Sequence, residues 1–468
     1  MTNTKVDGKS DALVFFGATG DLAYKQIFPA LFGLVRDEGL TTPIIGVAKS
    51  GWTLDQLKQR AKESVEAHGG NTKSEVFVQL LSQLRYVDGD YNDPATFQEL
   101  RKQLGKAKKP LHYLAIPPVL FGTVTAQLAN SGCADNARLV VEKPFGHDRA
   151  SAAALSRCID QYFAEGNVFR IDHYLGKEPV QNILYTRFAN PMFEPLFNRN
   201  YVRSIQITMA ENFGVQDRGR FYDQTGAIRD VIQNHMLQVL ATLTMDPPTG
   251  QKHEAMRDAK ASLLKAVRAL APKDVVRGQY DGYHKVPGVA PASTVETYAA
   301  ARFEIDNWRW AGVPIFIRAG KVLPVTTAEA IVEFKRPPRE TFGELVAPSS
   351  AHMRFRIQPD VTVAMGARVK VPGDRMVGED VELVLTRQPA ADVPPYQRLL
   401  GDAMEGNSEL FTREDIVDAE WRIVNDILDD VTPLYSYKPD TWGPDEAVEL
   451  VGSDGPWINP AAPAGGKS

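Results

Sequence analysis

ALVFFGATGDLAYKQIFPALFGLV, residues 12–35, decides the fold. Ala12–Phe16 is a continuous apolar run that ends at a glycine, the pattern of a short strand buried on both faces in a parallel sheet. Ile27, Ala30, Leu31, Leu34 and Val35 then recur at helical spacing. Between them lies the turn Gly17-Ala18-Thr19-Gly20-Asp21-Leu22-Ala23. A tight strand-to-helix turn suits Gly17, close backbone approach by a pyrophosphate suits Gly20, and close packing of helix on sheet suits the small Ala23. Phosphates held there would meet the unbonded N–H groups and the positive dipole end of the helix. Gly17, Ala18, Thr19, Gly20, Asp21 and Leu22 are therefore the candidate dinucleotide cradle.

The same alternation continues outward. Strands are expected at Pro43–Ala48, Arg85–Val87, Leu111–Ile116 and Ala137–Val141, with helices at Leu54–Ala67, Pro94–Leu104 and Phe121–Asn130. Strand–helix alternation with right-handed crossovers makes a doubly wound, Rossmann-like α/β domain. Beyond Phe169–Asp172 the rhythm changes. Ile205, Ile207 and Met209 alternate with polar residues, as do Met353, Phe355 and Ile357, then Val361, Val363 and Met365, then Val381, Leu383 and Leu385. Period-two alternation predicts a half-buried, mainly antiparallel sheet. Strands are also expected at Tyr298–Ile305 and Ile315–Ile317, one helix over Ala227–Thr244, and another opening near Thr412 and Asp415. The fold class is thus α/β followed by α+β: a dinucleotide-binding domain over residues 1–175 and a larger substrate-binding and dimerisation domain over 176–468. The Pro/Gly/Ala-rich stretch 461–468 is expected to fray.

Composition limits the alternatives. The 468 residues carry 53 Lys+Arg against 58 Asp+Glu, a net charge of -5, with 43% apolar residues. That excludes a disordered chain and argues against nucleic acid as a partner. The two cysteines, Cys133 and Cys158, make neither a disulfide framework nor a metal cluster, so no metal is expected. The N-terminal stretch lacks the order of a signal peptide, and no apolar run approaches a membrane span, so a cytoplasmic protein without a membrane partner is expected. The second strand ends Val47-Ala48-Lys49-Ser50, where a carboxylate would bind the ribose 2′-hydroxyl of NAD. Lys49, with the Thr19 hydroxyl, favours the 2′-phosphate of NADP; a solvated loop lysine, with NAD as cofactor, is the alternative.

Two further segments concentrate chemistry: Glu142-Lys143-Pro144-Phe145-Gly146 after the strand ARLVV, and Arg170-Ile171-Asp172-His173-Tyr174-Leu175-Gly176-Lys177-Glu178. With GATGDLA, AENFGV (210–215), GAIRDVIQNHMLQ (226–238) and WAGVPIFIRAGK (310–321), they make six motifs in one order. On these the chain resembles the glucose-6-phosphate dehydrogenases. The resemblance implies oxidation of D-glucose 6-phosphate at C1 to 6-phospho-D-glucono-1,5-lactone, with hydride transfer to NADP, the first step of the oxidative pentose phosphate pathway. It implies His235 as the base and Asp172 as the carboxylate that orients it. It implies His173, Tyr174 and Lys177 for the sugar phosphate, and Glu211, Asp230 and Lys321 for the sugar hydroxyls. Lys143 would lie between substrate and nicotinamide, before a cis peptide to Pro144. Lys49 would meet the 2′-phosphate, and Asp90 and Tyr91 the adenosine end. A homodimer or homotetramer is implied as well.

The residue types agree with that chemistry. Oxidising a secondary alcohol needs a base on its hydroxyl, and a histidine with an ordinary pKa near about 6.5 is half-ready at neutral pH. A carboxylate behind it fixes the tautomer. A phosphate dianion needs cationic donors, which His173 and Lys177 supply. Taken alone, each group has a plainer role: one of eight histidines is ordinarily a core or surface residue, and Glu211 and Asp230 would be surface acids. Asp230 and His235, five apart on an α-helix, would not share a face. Two departures stand out. Thr326 occupies the place of a second basic substrate residue, and Phe121 that of a frequent tyrosine. The other classes weighed are a related sugar dehydrogenase acting on unphosphorylated sugar, and a nicotinamide-sensing regulator without activity.

Overall fold

The computed structural model describes residues 6–250, 253–339, 341–343, 351–373, 375–385 and 393–461. Of the stretch expected to fray, 462–468 lie outside the described residues. The described chain forms two compact units. The first takes Met1–Lys177 with Thr249–Asp258 and Ala391–Asp418, and the second takes Glu178–Pro248, Ala259–Ala390 and Ala419–Ser468.

In the first unit six parallel strands, β1 (Ala12–Phe16), β2 (Ile44–Ala48), β3 (Leu84–Asp88), β4 (Pro110–Leu114), β5 (Arg138–Glu142) and β6 (Val168–Ile171), stand in the order β3-β2-β1-β4-β5-β6. This is the Rossmann order, with its switch of winding between β1 and β4. Side chains of a strand point alternately to opposite faces, and both faces of β1 are covered. Leu13 and Phe15 join a core with Leu31 and Leu34 of α1 (Phe28–Glu38) and Leu57 of α2 (Leu54–Ala67). Ala12, Val14 and Phe16 join the other with Phe97 and Leu100 of helix Pro94–Leu104 and Val124 of helix Phe121–Asn130. The helices start where polar caps stop the strands' connections: Thr53 and Gln56 form a capping box at α2, and Asp93 accepts from Ala95 N before Pro94–Leu104.

One element of this unit comes from far along the chain. Helix Pro395–Glu405 puts Leu399, Leu400, Ala403 and Met404 into the first core, against α1. The approach is close enough that a Cβ on Gly33 would fall 1.9 Å from Gln397 Oε1.

The second unit is built on nine strands: β7 (Val202–Ala210), β8 (Val275–Tyr280), β9 (Tyr298–Phe303), β10 (Ile315–Gly320), β11 (Thr327–Phe334), β12 (His352–Gln358), β13 (Thr362–Lys370), β14 (Gly378–Leu385) and β15 (Leu434–Tyr437). Their order is β14-β13-β12-β11-β7-β10-β9-β8-β15. The sheet is mainly antiparallel; β7 with β10 and β8 with β15 run parallel. On β12 the alternation holds, with Met353, Phe355 and Ile357 buried. On β7 it does not: Ser204, Gln206 and Thr208 are as buried as Ile205 and Ile207. Their face is met by the segment over residues 442–459. Gln206 donates to Pro456 O and accepts from Ile458 N, at 3.0 and 2.8 Å, and the Arg318 guanidinium lies 4.6 Å from the rings of both Trp442 and Trp457. Polar side chains that bond to a covering segment do not need solvent.

The helix expected over 227–244 is two pieces, a π-helix over Ile228–Met236 and an α-helix over Leu237–Thr244, and an α-helix over Gly219–Ala227 precedes them. No helix among the described residues is long and apolar enough to cross a membrane.

Candidate active site

The glycine turn after β1 is shaped from below. Gly17 has φ +79, and a Cβ there would lie 2.2 Å from Ala115 O, so the turn admits glycine alone. Its N–H is shared between Val47 O at 2.9 Å and the Tyr91 hydroxyl at 3.0 Å; that hydroxyl donates to Val47 O at 3.2 Å. Tyr91, expected at the adenosine end, is thus a strut under the turn, its ring edge-on to Phe16. Gly20 N–H closes the turn onto Gly17 O at 2.9 Å. A Cβ on Gly20 would stand 3.2 Å from that oxygen, so the bare backbone is open to a ligand. Ala18 and Ala23 are fully buried, and the helix begins at Asp21, directly after Gly20, which has no side chain to cap it. Its first amides are thereby left to an anion. The residues present fit a dinucleotide.

At the neighbouring strand ends, the Lys49 ammonium lies 2.6 Å from Asp90 Oδ2. The Lys49 bond, with bonds from Asn92, holds the Asp90 carboxyl down at about 2, and Asp90 raises Lys49 in return. Sequence reasoning missed Asp88. It accepts from Ser50 N and Gly51 N at 3.0 and 2.8 Å and so folds the loop that carries Lys49.

Lys143 and Asp172 leave the ends of β5 and β6 at one level, since Glu142 pairs with Ile171 in register. The Lys143–Pro144 peptide is cis. Asp172 is buried, and its Oδ1 accepts from Tyr174 N at 2.9 Å, which fixes the start of the next turn. That turn gathers the phosphate candidates. The rings of His173 and Tyr174 are 5.3 Å apart, and Lys177 Nζ stands 3.9 Å over the Tyr174 ring. Beside Lys143, the Glu142 carboxyl is enclosed and bonded by the hydroxyls of Tyr113 and Tyr396. Burial pushes it up to about 7 against the pull of those hydroxyls and of Lys143. No sequence signal marked this cluster, because Tyr396 arrives on the distant helix Pro395–Glu405.

The other four candidates belong to the second unit. Glu211 follows β7 and Lys321 follows β10, parallel neighbours in the sheet, and the two side chains are ion-paired. Lys321 Nζ also lies 5.5 Å from the Phe213 ring and 5.3 Å from that of Tyr222. Tyr222 is a further group missed in sequence: it is 3% exposed, and burial with Asp230, Glu296 and Glu211 nearby raises its hydroxyl well above its ordinary value. Thr326, in place of a base, joins this loop through its hydroxyl, which accepts from Asn212 N at 3.0 Å and donates to Asn212 Oδ1 at 2.6 Å. Phe121 is fully buried at the head of its helix.

Asp230 and His235 stand on the π-helix Ile228–Met236. In an α-helix residues five apart diverge; in a π-helix the i→i+5 hydrogen bond makes them successive on one face. The expectation that they do not share a face fails for this reason. His235 is 4% exposed, with its N–H 2.6 Å from Asn234 Oδ1.

The family model for the glucose-6-phosphate dehydrogenase NAD-binding domain matches residues 14–182, and that for the C-terminal domain of the same enzymes matches 184–458. The chain belongs to the glucose-6-phosphate dehydrogenase family. The glucose-6-phosphate 1-dehydrogenase 1 of Mycobacterium tuberculosis (strain H37Rv) is 43% identical over 465 residues, covering 98% of each chain. A crystal structure of a family member from Mycobacterium avium has 44% identity and a TM-score of 0.91, covering 98% of this chain and all of that one. A family member solved in complex with its substrate glucose 6-phosphate has 34% identity and a TM-score of 0.89, at the same coverage.

Proposed function

We propose that the protein oxidises D-glucose 6-phosphate at C1 to 6-phospho-D-glucono-1,5-lactone and passes the hydride to NADP. The observation that carries this reading is a match at 43% identity over 98% of the chain to a glucose-6-phosphate 1-dehydrogenase, with Asp172, His173, Lys177, Lys321 and His235 all standing in this chain.

The dinucleotide supplies the hydride acceptor. The chain's own residues do the rest. His235 takes the proton of the C1 hydroxyl as the C1–H bond yields its electron pair, so the products are the lactone, the reduced dinucleotide and one proton on the imidazole. Asp172 orients and charge-stabilises that imidazole. His173, Tyr174 and Lys177 bind the phosphate dianion, with Lys177 as its fixed charge. Glu211, Asp230 and Lys321 hold the sugar hydroxyls. Lys143 lies between the two ligands. Lys49 and the Thr19 hydroxyl bind the 2′-phosphate, with Asp90 as the counter-charge that Lys49 leaves, and Tyr91 keeps the glycine turn closed beneath the pyrophosphate. On this reading the protein is a soluble cytoplasmic enzyme that acts as a homodimer or homotetramer, as its resemblance to the family implies.

The test is a comparison of kcat/KM for glucose and glucose 6-phosphate, with NADP and with NAD at subsaturating concentrations. The expected result is a preference for the phosphorylated sugar of 10³-fold or more, about 4 kcal/mol, and a preference for NADP. Equal values for the two sugars would overturn the phosphate pocket, and equal values for the two dinucleotides the role of Lys49.

A further inference from the structure

The π-helix that aligns Asp230 with His235 needs a cause, since an uninterrupted α-helix is the ordinary outcome for such a sequence. The structure supplies one at its N-terminus. The preceding helix breaks at Gly226, which takes φ +66 and ψ 178, so the first amides beyond the break have no carbonyl of their own helix to bond. The residue that caps the new helix has no side-chain bond to it. Both acceptors come from Glu296, from another part of the chain: Ala227 N–H donates to its backbone oxygen and Ile228 N–H to its Oε1, each at 3.0 Å. The carboxylate is packed against the break itself, because a Cβ on Gly226 would lie 2.4 Å from Oε1.

Glu296 is in turn held rigidly. It is 4% exposed, and its Oε2 lies 3.7 Å from Arg277 Nε. Arg277 is itself fixed by Thr432 O at 3.1 Å, by Asp430 Oδ1 at 3.2 Å and by Thr294 O. The next residue secures a second candidate group: Thr297 O accepts from Lys321 N at 3.0 Å. Two consecutive residues thus anchor the helix that carries Asp230 and His235 and the backbone of Lys321. A negative charge at a helix N-terminus also opposes the dipole favourably.

We propose that Glu296 is a positioning residue, whose buried carboxylate sets the π register of residues 228–236 and so aims His235 at the sugar hydroxyl. The aim toward substrate rests on the function proposed above; the control of the helix register does not.

The test uses the full-length enzyme with Glu296→Ala and Glu296→Gln. Glu296→Ala removes the acceptor for Ile228 N–H, whereas the amide oxygen of Glu296→Gln retains it. Amide exchange of the peptide spanning 228–236 should quicken at least tenfold in Glu296→Ala and stay within about threefold of the parent in Glu296→Gln. In the same proteins, kcat for glucose 6-phosphate should fall about 10- to 100-fold in Glu296→Ala, recover most of its value in Glu296→Gln, and leave NADP affinity unmoved. The acidic limb of the kcat pH profile should shift in Glu296→Ala as well, because His235 changes surroundings. If Glu296→Ala proves too unstable to purify, Gly226→Ala displaces the same carboxylate with the acid retained and should give the same exchange and kcat changes. Unchanged exchange in Glu296→Ala, or in Gly226→Ala where that variant stands in, overturns the proposal. So does a Gln variant as impaired as Ala, since charge on Arg277 and not the bond to Ile228 would then matter. A parent enzyme inactive on glucose 6-phosphate would overturn the assigned function instead, and the exchange result would still decide the role of Glu296.

Discussion

Gly17→Ala should cost both stability and cofactor binding, and its magnitude follows from the turn. At φ +79 an alanine pays about 1–2 kcal/mol for a left-handed backbone. Its Cβ would lie 2.2 Å from Ala115 O and 3.3 Å from Ile116 Cγ2, and the first contact is with backbone, which cannot rotate away. Relief requires the turn or the end of β4 to move by roughly 1 Å, toward ordinary van der Waals separation. Strain of that kind adds about 1–3 kcal/mol, giving a total loss of about 2–5 kcal/mol. A misplacement of about 1 Å is also worth about 100-fold in a positioned reaction. NADP affinity, read by fluorescence titration, should therefore fall about 100-fold. Gly20→Ala is the internal control. Gly20 has no positive φ and its Cβ would meet Gly17 O at 3.2 Å, a contact that a small adjustment relieves. It should leave the thermal midpoint within a few degrees yet weaken NADP comparably, because the methyl occupies the path of the pyrophosphate. Gly17→Ala binding NADP within threefold of the parent would refute the cradle.

Three other outcomes are expected. His235→Asn should lower kcat by about 10²–10⁴ in the absorbance assay for reduced nicotinamide while leaving NADP binding intact; wild-type turnover would remove it as the base. Lys49→Asp should weaken NADP more than NAD in initial-rate comparisons, and an equal loss for both would contradict a 2′-phosphate contact. Glu142 rises from an ordinary glutamate value to about 7 in the folded protein, so the folded state binds more protons between about 4.5 and 7. Stability must then fall as pH rises through that window and level off above it, by about 3–3.5 kcal/mol for a shift of this size. Denaturant unfolding of Glu142→Gln should lack that slope, and parallel curves for the two proteins from pH 5 to 8 would count against an enclosed acid.

The first unit was the more legible because its signals are local. Ala12–Phe16, Leu54–Ala67, Pro94–Leu104 and Phe121–Asn130 begin and end where the sequence predicts, at caps, prolines and a glycine turn. What escaped depends on distant partners. Nothing near Pro395–Glu405 says that it packs on α1, and nothing in β7 says that residues 442–459 will bond its polar face. The π register of Ile228–Met236 is a tertiary effect, arising where a break at Gly226 meets Glu296. At the site, the cradle and Lys49 could be read from residue chemistry, whereas the roles of Asp172, His235 and the sugar-binding groups came from resemblance. Tyr113 and Tyr396 around Glu142, and Asp88 under the Lys49 loop, carried no signal because hydroxyls and acids of that kind are common in any chain.

The late helix against α1 bears on how the protein is made. A dinucleotide domain is usually imagined to finish folding while the rest of the chain is still on the ribosome. Here the core formed with β1 to β6 lacks Leu399, Leu400, Ala403 and Met404 until Pro395–Glu405 has been synthesised. At about 5–20 residues per second, the nascent domain waits about 10 to 45 seconds after β6 with that apolar flank uncovered. The interval is long enough for chaperone capture, and it marks the flank of α1 as the place where a stalled or truncated chain would first aggregate.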